Sequence, residues 1–111
     1  MILIEKENVG GVDYGLYGTT PLGVCESPAG NEVKVCSFTD SFPLSAGKAV
    51  AVKFTYANTY GDGSTTYPKL QINGNSYPIK LLTGAYVSTG AWANGQTVIF
   101  LFDGIGMLKV A

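Results

Sequence analysis

The sequence contains no histidine and no arginine in its 111 residues. Histidine is the commonest general base and metal ligand in proteins, so its absence removes the usual means of acid–base, Ser-His and Cys-His catalysis. Nucleic-acid binding needs clustered cations, but the only cations here are seven scattered lysines, and the net charge is −1. The composition therefore predicts that the protein is not an enzyme and does not bind nucleic acid.

Charged residues are also scarce, at 14% of the chain against 46% apolar residues. A free monomer of this size usually has roughly a quarter of its residues charged. The deficit predicts that part of the surface is buried against other chains, as in a homo-oligomer. No apolar run approaches the roughly 20 residues that span a bilayer, and residues 1–6 lack the basic start and the length of a signal peptide. We therefore expect synthesis in a cytoplasm and no membrane insertion.

Only two cysteines are present, Cys25 and Cys36. Without histidine or a second cysteine pair they cannot form a zinc site. They could form a disulfide that stabilises the fold by roughly 2–4 kcal/mol, or Cys36 could be a small core residue in a protein made under reducing conditions. Asp62 has no acidic neighbour to complete a calcium loop. No metal or cofactor is expected.

Residues 49–79 contain the clearest structural signals, and the rest of the chain is organised around them. Residues 49–56 are mostly apolar, β-branched and aromatic, which predicts a strand buried on one face and partly on the other. Residues 60–67 contain too much glycine and serine for a regular element and predict an exposed loop. Asn73-Gly74 then separates two short runs, and this dipeptide favours the positive φ of a tight hairpin turn.

Further strands are predicted on both sides of this region. Residues 32–38 alternate, with Glu32, Lys34 and Cys36 on one face. Residues 97–102 form a continuous apolar run, and Asp103-Gly104 predicts a second hairpin into a final strand. With no amphipathic helix, the sequence predicts an all-β fold: a single-domain antiparallel β-sandwich or flattened barrel, jelly-roll-like, over residues 13–111. Residues 1–12 are predicted to form an N-terminal arm or edge strand.

Several short motifs follow one another over roughly residues 14–110. They are Tyr17-Gly18-Thr19, Lys34-Val35, Gly47 with Val50-Ala51-Val52-Lys53-Phe54, Ala57-Asn58-Thr59, Leu70-Gln71-Ile72-Asn73-Gly74, Pro78-Ile79 and Phe100-Leu101-Phe102-Asp103-Gly104. Their order and spacing resemble small β-modules of tailed-bacteriophage virion proteins, which occur in tail fibres, baseplates and related appendages. Three features depart from that pattern: the prolines and glycines between residues 19 and 34, the long loop at 60–67, and Ile105 at a position that is often aromatic.

The resemblance implies a structural or host-recognition role in the virion, after synthesis in the bacterial host cytoplasm. It implies partnership with other virion proteins and, as phage fibres are usually trimeric, a homotrimer. It does not imply catalysis.

Aromatic residues beside amides and carboxylates are the candidate ligand-binding residues. Flat rings cover the C–H faces of sugars while neighbouring polar groups bind the hydroxyls. The candidates are Tyr60, Tyr67, Asp62, Asn58 and Trp92. We expect Tyr60 and Tyr67 to be the most exposed, because a glycine-rich loop lies between them. One hypothesis is therefore a tail-fibre or baseplate module that recognises a host surface polysaccharide. The alternative is a purely structural decoration or connector protein whose aromatic side chains cover the core and contact neighbouring virion chains.

Overall fold

The computed structural model describes residues 2–3, 6–9, 12–15, 19–39 and 41–111, and all regular structure in them is β. The first four strands are β1 (Ile2–Leu3), β2 (Lys6–Val9), β3 (Val12–Gly15) and β4 (Thr19–Thr20). β2 pairs with β3 and β1 pairs with β4, in both cases antiparallel. The predicted all-β class is confirmed. Tyr17, Gly18 and parts of the predicted N-terminal arm lie outside the described residues.

Seven further strands close into a barrel. They are β5 (Leu22–Cys25), β6 (Val33–Phe38), β7 (Ala49–Phe54), β8 (Lys69–Ile72), β9 (Asn75–Leu81), β10 (Thr97–Phe102) and β11 (Met107–Lys109). Around the barrel the order is β10-β11-β9-β8-β6-β5-β7, and β7 pairs with β10 to close it. Closure leaves no free sheet edge among these seven strands.

The barrel is mixed, which corrects the prediction of a wholly antiparallel sandwich. The pairs β5–β7, β6–β8 and β9–β11 are parallel, and the other four are antiparallel. The two predicted hairpins are present: β8 and β9 meet at Asn73-Gly74, where both residues have positive φ, and β10 and β11 are joined across Gly104. Turn residues specify a hairpin because they act locally, but they do not specify how strands distant in sequence pair.

Apolar side chains fill the barrel interior. The buried cluster includes Val50, Val52, Phe54, Leu70, Ile72, Ile79, Val98, Phe100 and Met107. Strand β7 is buried on both faces, because Ala49 packs with Leu101 in a second, smaller cluster and Ala51 is also fully buried. This agrees with the apolar character of residues 49–54.

Strand β6 directs an unusual set of side chains inward. Lys34 is only 2% exposed, whereas the neighbouring Val35 is 48% exposed. The Lys34 ammonium donates to the carbonyl oxygens of Ala29 at 2.9 Å and Pro28 at 3.3 Å. Burial lowers the pKa of Lys34, because the charged form loses hydration. These bonds satisfy the buried cation and fix the loop between β5 and β6.

Candidate functional site

A polar groove of about 220 Å³ opens where the β7–β8 loop meets the start of β6 and β8. It is lined by Glu32, Tyr60, Thr65, Thr66, Tyr67 and Lys69. Drug-sized ligands occupy pockets of roughly 300–1,000 Å³, so this groove suits a smaller group. Its lining combines a carboxylate, an ammonium, two phenols and two hydroxyls, all of which hydrogen-bond to polar ligands.

Parallel pairing of β6 with β8 brings the charged residues of the groove together. Glu32 precedes β6 and Lys69 begins β8, and the backbone N–H of Lys69 donates to the Glu32 carbonyl at 2.8 Å. The Lys69 ammonium donates to Glu32 Oε2 at 2.6 Å, and the Tyr60 hydroxyl donates to Glu32 Oε1 at 2.8 Å. Both oxygens of the carboxylate therefore have a partner, and all three side chains are held in one arrangement.

The same network shifts the pKa of each member. The Lys69 hydrogen bond, followed by that of Tyr60, lowers the pKa of Glu32. Glu32 in turn raises the pKa of Tyr60 and of Lys69, because its charge favours the protonated phenol and the ammonium. Such a solvent-exposed ion pair contributes little to folding stability. Its main effect is to position the groove side chains.

Asp62 shapes the loop that forms one wall of the groove. Its Oδ1 accepts from the backbone N–H groups of Ser64, Thr65 and Thr66 at 2.7, 2.9 and 3.1 Å, and its Oδ2 accepts from the Thr65 hydroxyl at 2.9 Å. These donors lower the pKa of Asp62, the Thr66 backbone contributing most. Asp62 was predicted to contact a ligand, but the structure uses its carboxylate to hold the turn.

Gly61 allows this loop to fold back on itself. Its φ is +101°, and a Cβ atom there would lie 2.9 Å from the Thr66 carbonyl oxygen. A larger residue would therefore be strained and crowded at this position. The loop is nevertheless exposed, as predicted, at Asp62, Ser64, Thr65 and Thr66.

Tyr67 lies on the groove wall and stacks on Tyr86, with ring centroids 3.9 Å apart and planes inclined by 7°. The Lys69 ammonium lies 5.5 Å from the Tyr67 centroid, and the Lys80 ammonium lies 5.6 Å from the Tyr86 centroid. Tyr67 is therefore half-buried, and its ring faces are already in contact with other groups. Tyr60 and Tyr67 were expected to be the most exposed of the candidate residues, but both are half-buried: they are less exposed than Asp62 and more exposed than Asn58 and Trp92.

Two other predicted ligand-binding residues belong to the interior. Trp92 is 3% exposed, stacks on Phe54 at 4.0 Å between ring centroids, and donates its indole N–H to the Tyr56 carbonyl at 3.1 Å. Asn58 is 1% exposed, and its amide binds backbone groups of Tyr60 and Ser88. Neither side chain can reach a surface ligand, because both are enclosed by protein. The structure thus corrects both assignments.

The groove contains residues that sequence reasoning overlooked: Glu32, Lys69, Thr65 and Thr66. The sequence analysis identified Glu32 only as a polar residue of an alternating strand, and no sequence pattern identified Lys69 as a ligand-binding residue. The two residues are 37 positions apart and meet because β6 and β8 run parallel. No local pattern marks such a pair.

We expect the pKa of the Glu32 carboxyl to lie below its ordinary value of 4.5, chiefly because of the Lys69 hydrogen bond. Because the folded pKa is lowered, ionised Glu32 adds stability above its unfolded pKa, and this contribution is lost as the pH falls through the folded pKa. Replacing Lys69 with Met should move the Glu32 pKa up toward 4.5, as measured by NMR titration of the side-chain carbonyl. Lys53→Met removes an exposed lysine of β7 and should leave it unchanged. An unshifted Glu32 in the Lys69 variant would contradict the pairing.

In the part of the chain that the structure describes, no three His, Cys, Asp or Glu side chains gather where they could hold a metal ion. The same residues include no helix long and apolar enough to cross a membrane. Comparison of the chain with protein-family models, with curated proteins and with solved structures found no match.

Proposed function

We propose that this chain is a module of a bacteriophage appendage, a tail fibre or baseplate, whose groove binds a host surface polysaccharide. The virion role is supported by the motif order over residues 14–110. Sugar binding is supported by one observation above all: the Glu32–Tyr60–Lys69 network lines a small, open polar groove. The proposed partners are other virion chains, including two further copies of this one in a trimer.

The network is suited to sugar hydroxyls because it is formed before a ligand arrives. A carboxylate has about four acceptor positions, and Tyr60 and Lys69 occupy two of those on Glu32. The remaining positions can accept from ligand hydroxyls, while the Lys69 ammonium and the threonine hydroxyls can donate to ligand oxygens. Fixed side chains reduce the entropy lost on binding. Recognition in this groove is mainly polar, since the rings of Tyr67 and Tyr86 stack on each other.

Two substitutions test the groove without removing a ring. Lys69→Met should weaken binding by about 10–100-fold, because hydrogen bonds to charged groups are worth roughly 1.5–3 kcal/mol. Tyr60→Phe should weaken it less, because it removes only the hydroxyl that orients Glu32. The ligand is first selected by screening wild-type protein against purified envelope polysaccharides of bacteria, and affinities are then measured by calorimetry.

Matched controls come from exposed residues outside the groove. Lys53→Met and Tyr56→Phe make the same chemical changes, and both should bind like wild type. Normal binding by folded Lys69→Met protein would exclude the groove as the site. If wild-type protein binds none of the polysaccharides, the glycan proposal fails and the structural alternative is favoured.

One observation supports that alternative, a purely structural decoration or connector protein. Leu22, Val24 and Val35 are exposed on the outer face of the neighbouring strands β5 and β6. Aliphatic side chains on adjacent strands suit contact with another protein chain. The two roles can also coexist, because this face and the groove are formed by different side chains.

A further inference from the structure

Cys25 and Cys36 face each other across the β5–β6 strand pair. They are direct partners in the antiparallel register, which places their Cα atoms about 4.5–5.5 Å apart. A disulfide accepts Cα separations of about 4.4–6.8 Å. Both side chains belong to the interior cluster, where Cys25 is 1% exposed and Cys36 is partly buried. Both thiols are free in this structure.

The groups near Cys25 favour its thiolate form, namely the Cys36 thiol and the backbone and hydroxyl of Ser27. The Cys36 thiol itself donates to the Lys34 carbonyl oxygen at 3.6 Å. The Lys34 ammonium adds a favourable charge. Together they lower the pKa of Cys25 to about 6, the Cys36 bond contributing most, while the same bond raises the pKa of Cys36. Cys25 is thus the nucleophilic member of the pair, because the thiolate is the reactive form.

We propose that Cys25 and Cys36 form a reversible oxidation site, which a small peroxide converts into a cross-strand disulfide. The Cys25 thiolate attacks one peroxide oxygen, the O–O bond breaks, and hydroxide leaves, so that Cys25 becomes a sulfenic acid. The Cys36 sulfur then attacks the Cys25 sulfur and releases the sulfenic oxygen as water. Overall, two thiols and one hydrogen peroxide give one disulfide and two waters. A thiol reductant reverses the change.

The disulfide would join the two strands on either side of the β5–β6 loop, residues 26–32, whose last residue is Glu32. Lys34 and Ser27 already fix this loop, since Lys34 donates to Pro28 and Ala29 and the Ser27 hydroxyl accepts from the Val35 N–H at 2.9 Å. Because Cys25 and Cys36 are direct partners in the β5–β6 register and both pack in the interior cluster, the bond needs little rearrangement of the backbone. Oxidation therefore joins β5 covalently to β6, the strand that directly follows Glu32 of the groove.

The experiment treats folded wild-type protein with hydrogen peroxide, blocks remaining thiols with N-ethylmaleimide in denaturant, and measures intact mass. The expected product has lost about 2 Da and accepts no maleimide, because both thiols are consumed within one chain. Peptide mapping should link Cys25 to Cys36, and the thermal midpoint should rise by roughly 10 °C. Dithiothreitol should restore both thiols.

Variants test the roles of the surrounding groups. Ser27→Ala removes a hydroxyl that lowers the pKa of Cys25 and should slow oxidation near pH 7 several-fold. Ser37→Ala, on the outer face of β6, should leave the rate unchanged. Cys36→Ser should stop at a sulfenic acid that a dimedone probe captures. The proposal is overturned if wild-type protein keeps both thiols or forms disulfide-linked dimers. It is also overturned if the protein gains oxygen while one or both thiols still react with N-ethylmaleimide.

Discussion

Replacing Trp92 with Ala is expected to lower the free energy of unfolding by about 3–5 kcal/mol. The indole is almost completely buried, stacks on Phe54 with planes inclined by 21°, and donates to the Tyr56 carbonyl. Truncation leaves a cavity beside Phe54 and removes the partner of that carbonyl. The loss is a large fraction of the roughly 5–15 kcal/mol that stabilises a domain of this size.

Urea denaturation followed by far-ultraviolet circular dichroism measures this loss, since the only tryptophan is removed. Trp92→Phe is the matched variant, because it keeps a ring against Phe54 and removes the indole N–H, and it should cost about 1–2 kcal/mol. The competing interpretation makes Trp92 a sugar-stacking residue. Under it, Trp92→Ala would keep wild-type stability and lose polysaccharide binding, which is the opposite of the expected result.

Replacing Asn58 with Ala is expected to destabilise the protein by about 2–4 kcal/mol. The Asn58 amide donates to the carbonyls of Tyr60 at 2.8 Å and Ser88 at 3.0 Å, and its oxygen accepts from the Tyr60 N–H at 3.1 Å. Alanine would leave these three backbone groups without the side-chain partner that now satisfies them. Unpaired buried polar groups each cost roughly 1–3 kcal/mol, partly relieved if water enters.

Asn94→Ala provides the control for this change. The Asn94 side chain accepts one hydrogen bond, from the Ala57 N–H at 2.6 Å, in an exposed position. Its removal should cost about 0.5–1 kcal/mol, because water can replace the lost partner. Equal effects of the two substitutions in chemical denaturation would contradict the central role of Asn58. Asn58→Ala should also weaken polysaccharide binding, since it frees the loop that carries Tyr60.

The residues that the sequence predicts to bind a ligand have different places in the structure. Tyr60 and Tyr67 do line the groove. However, Asp62 holds a turn and Asn58 holds the loop from inside. The sequence shows which aromatic and polar residues are close together along the chain. It does not distinguish a side chain that binds a ligand from one that hydrogen-bonds to the protein backbone. That distinction depends on how the loop folds: Asn58 becomes buried, whereas Asp62 stays exposed but is surrounded by backbone N–H groups of its own turn.

The same limit appears in strand β6. Alternation correctly placed Lys34 and Cys36 on one face, but it did not predict that this face points inward. Burying a lysine ammonium destabilises the folded state unless hydrogen-bond acceptors surround it. Here the acceptors are the carbonyl oxygens of Pro28 and Ala29. Because these carbonyl oxygens stabilise Lys34 on the inner face of β6, the neighbouring Val35 lies on the outer face.

Local patterns in the sequence are enough to predict the all-β class, the positions of strands such as Thr97–Phe102, and the hairpin turns at Asn73-Gly74 and Asp103-Gly104. Each of these features depends on local backbone preferences and on the alternation of apolar and polar side chains, and both can be recognised within a short stretch of sequence. The folded structure is needed to establish the three parallel pairs and the closure of the barrel. It is also needed to show that Glu32 contacts Lys69 across the parallel β6–β8 pair and that Cys25 lies opposite Cys36 in the antiparallel β5–β6 pair. The physical reason is that partners distant in sequence are selected by the packing of the whole interior, to which no single segment contributes enough energy to fix the choice.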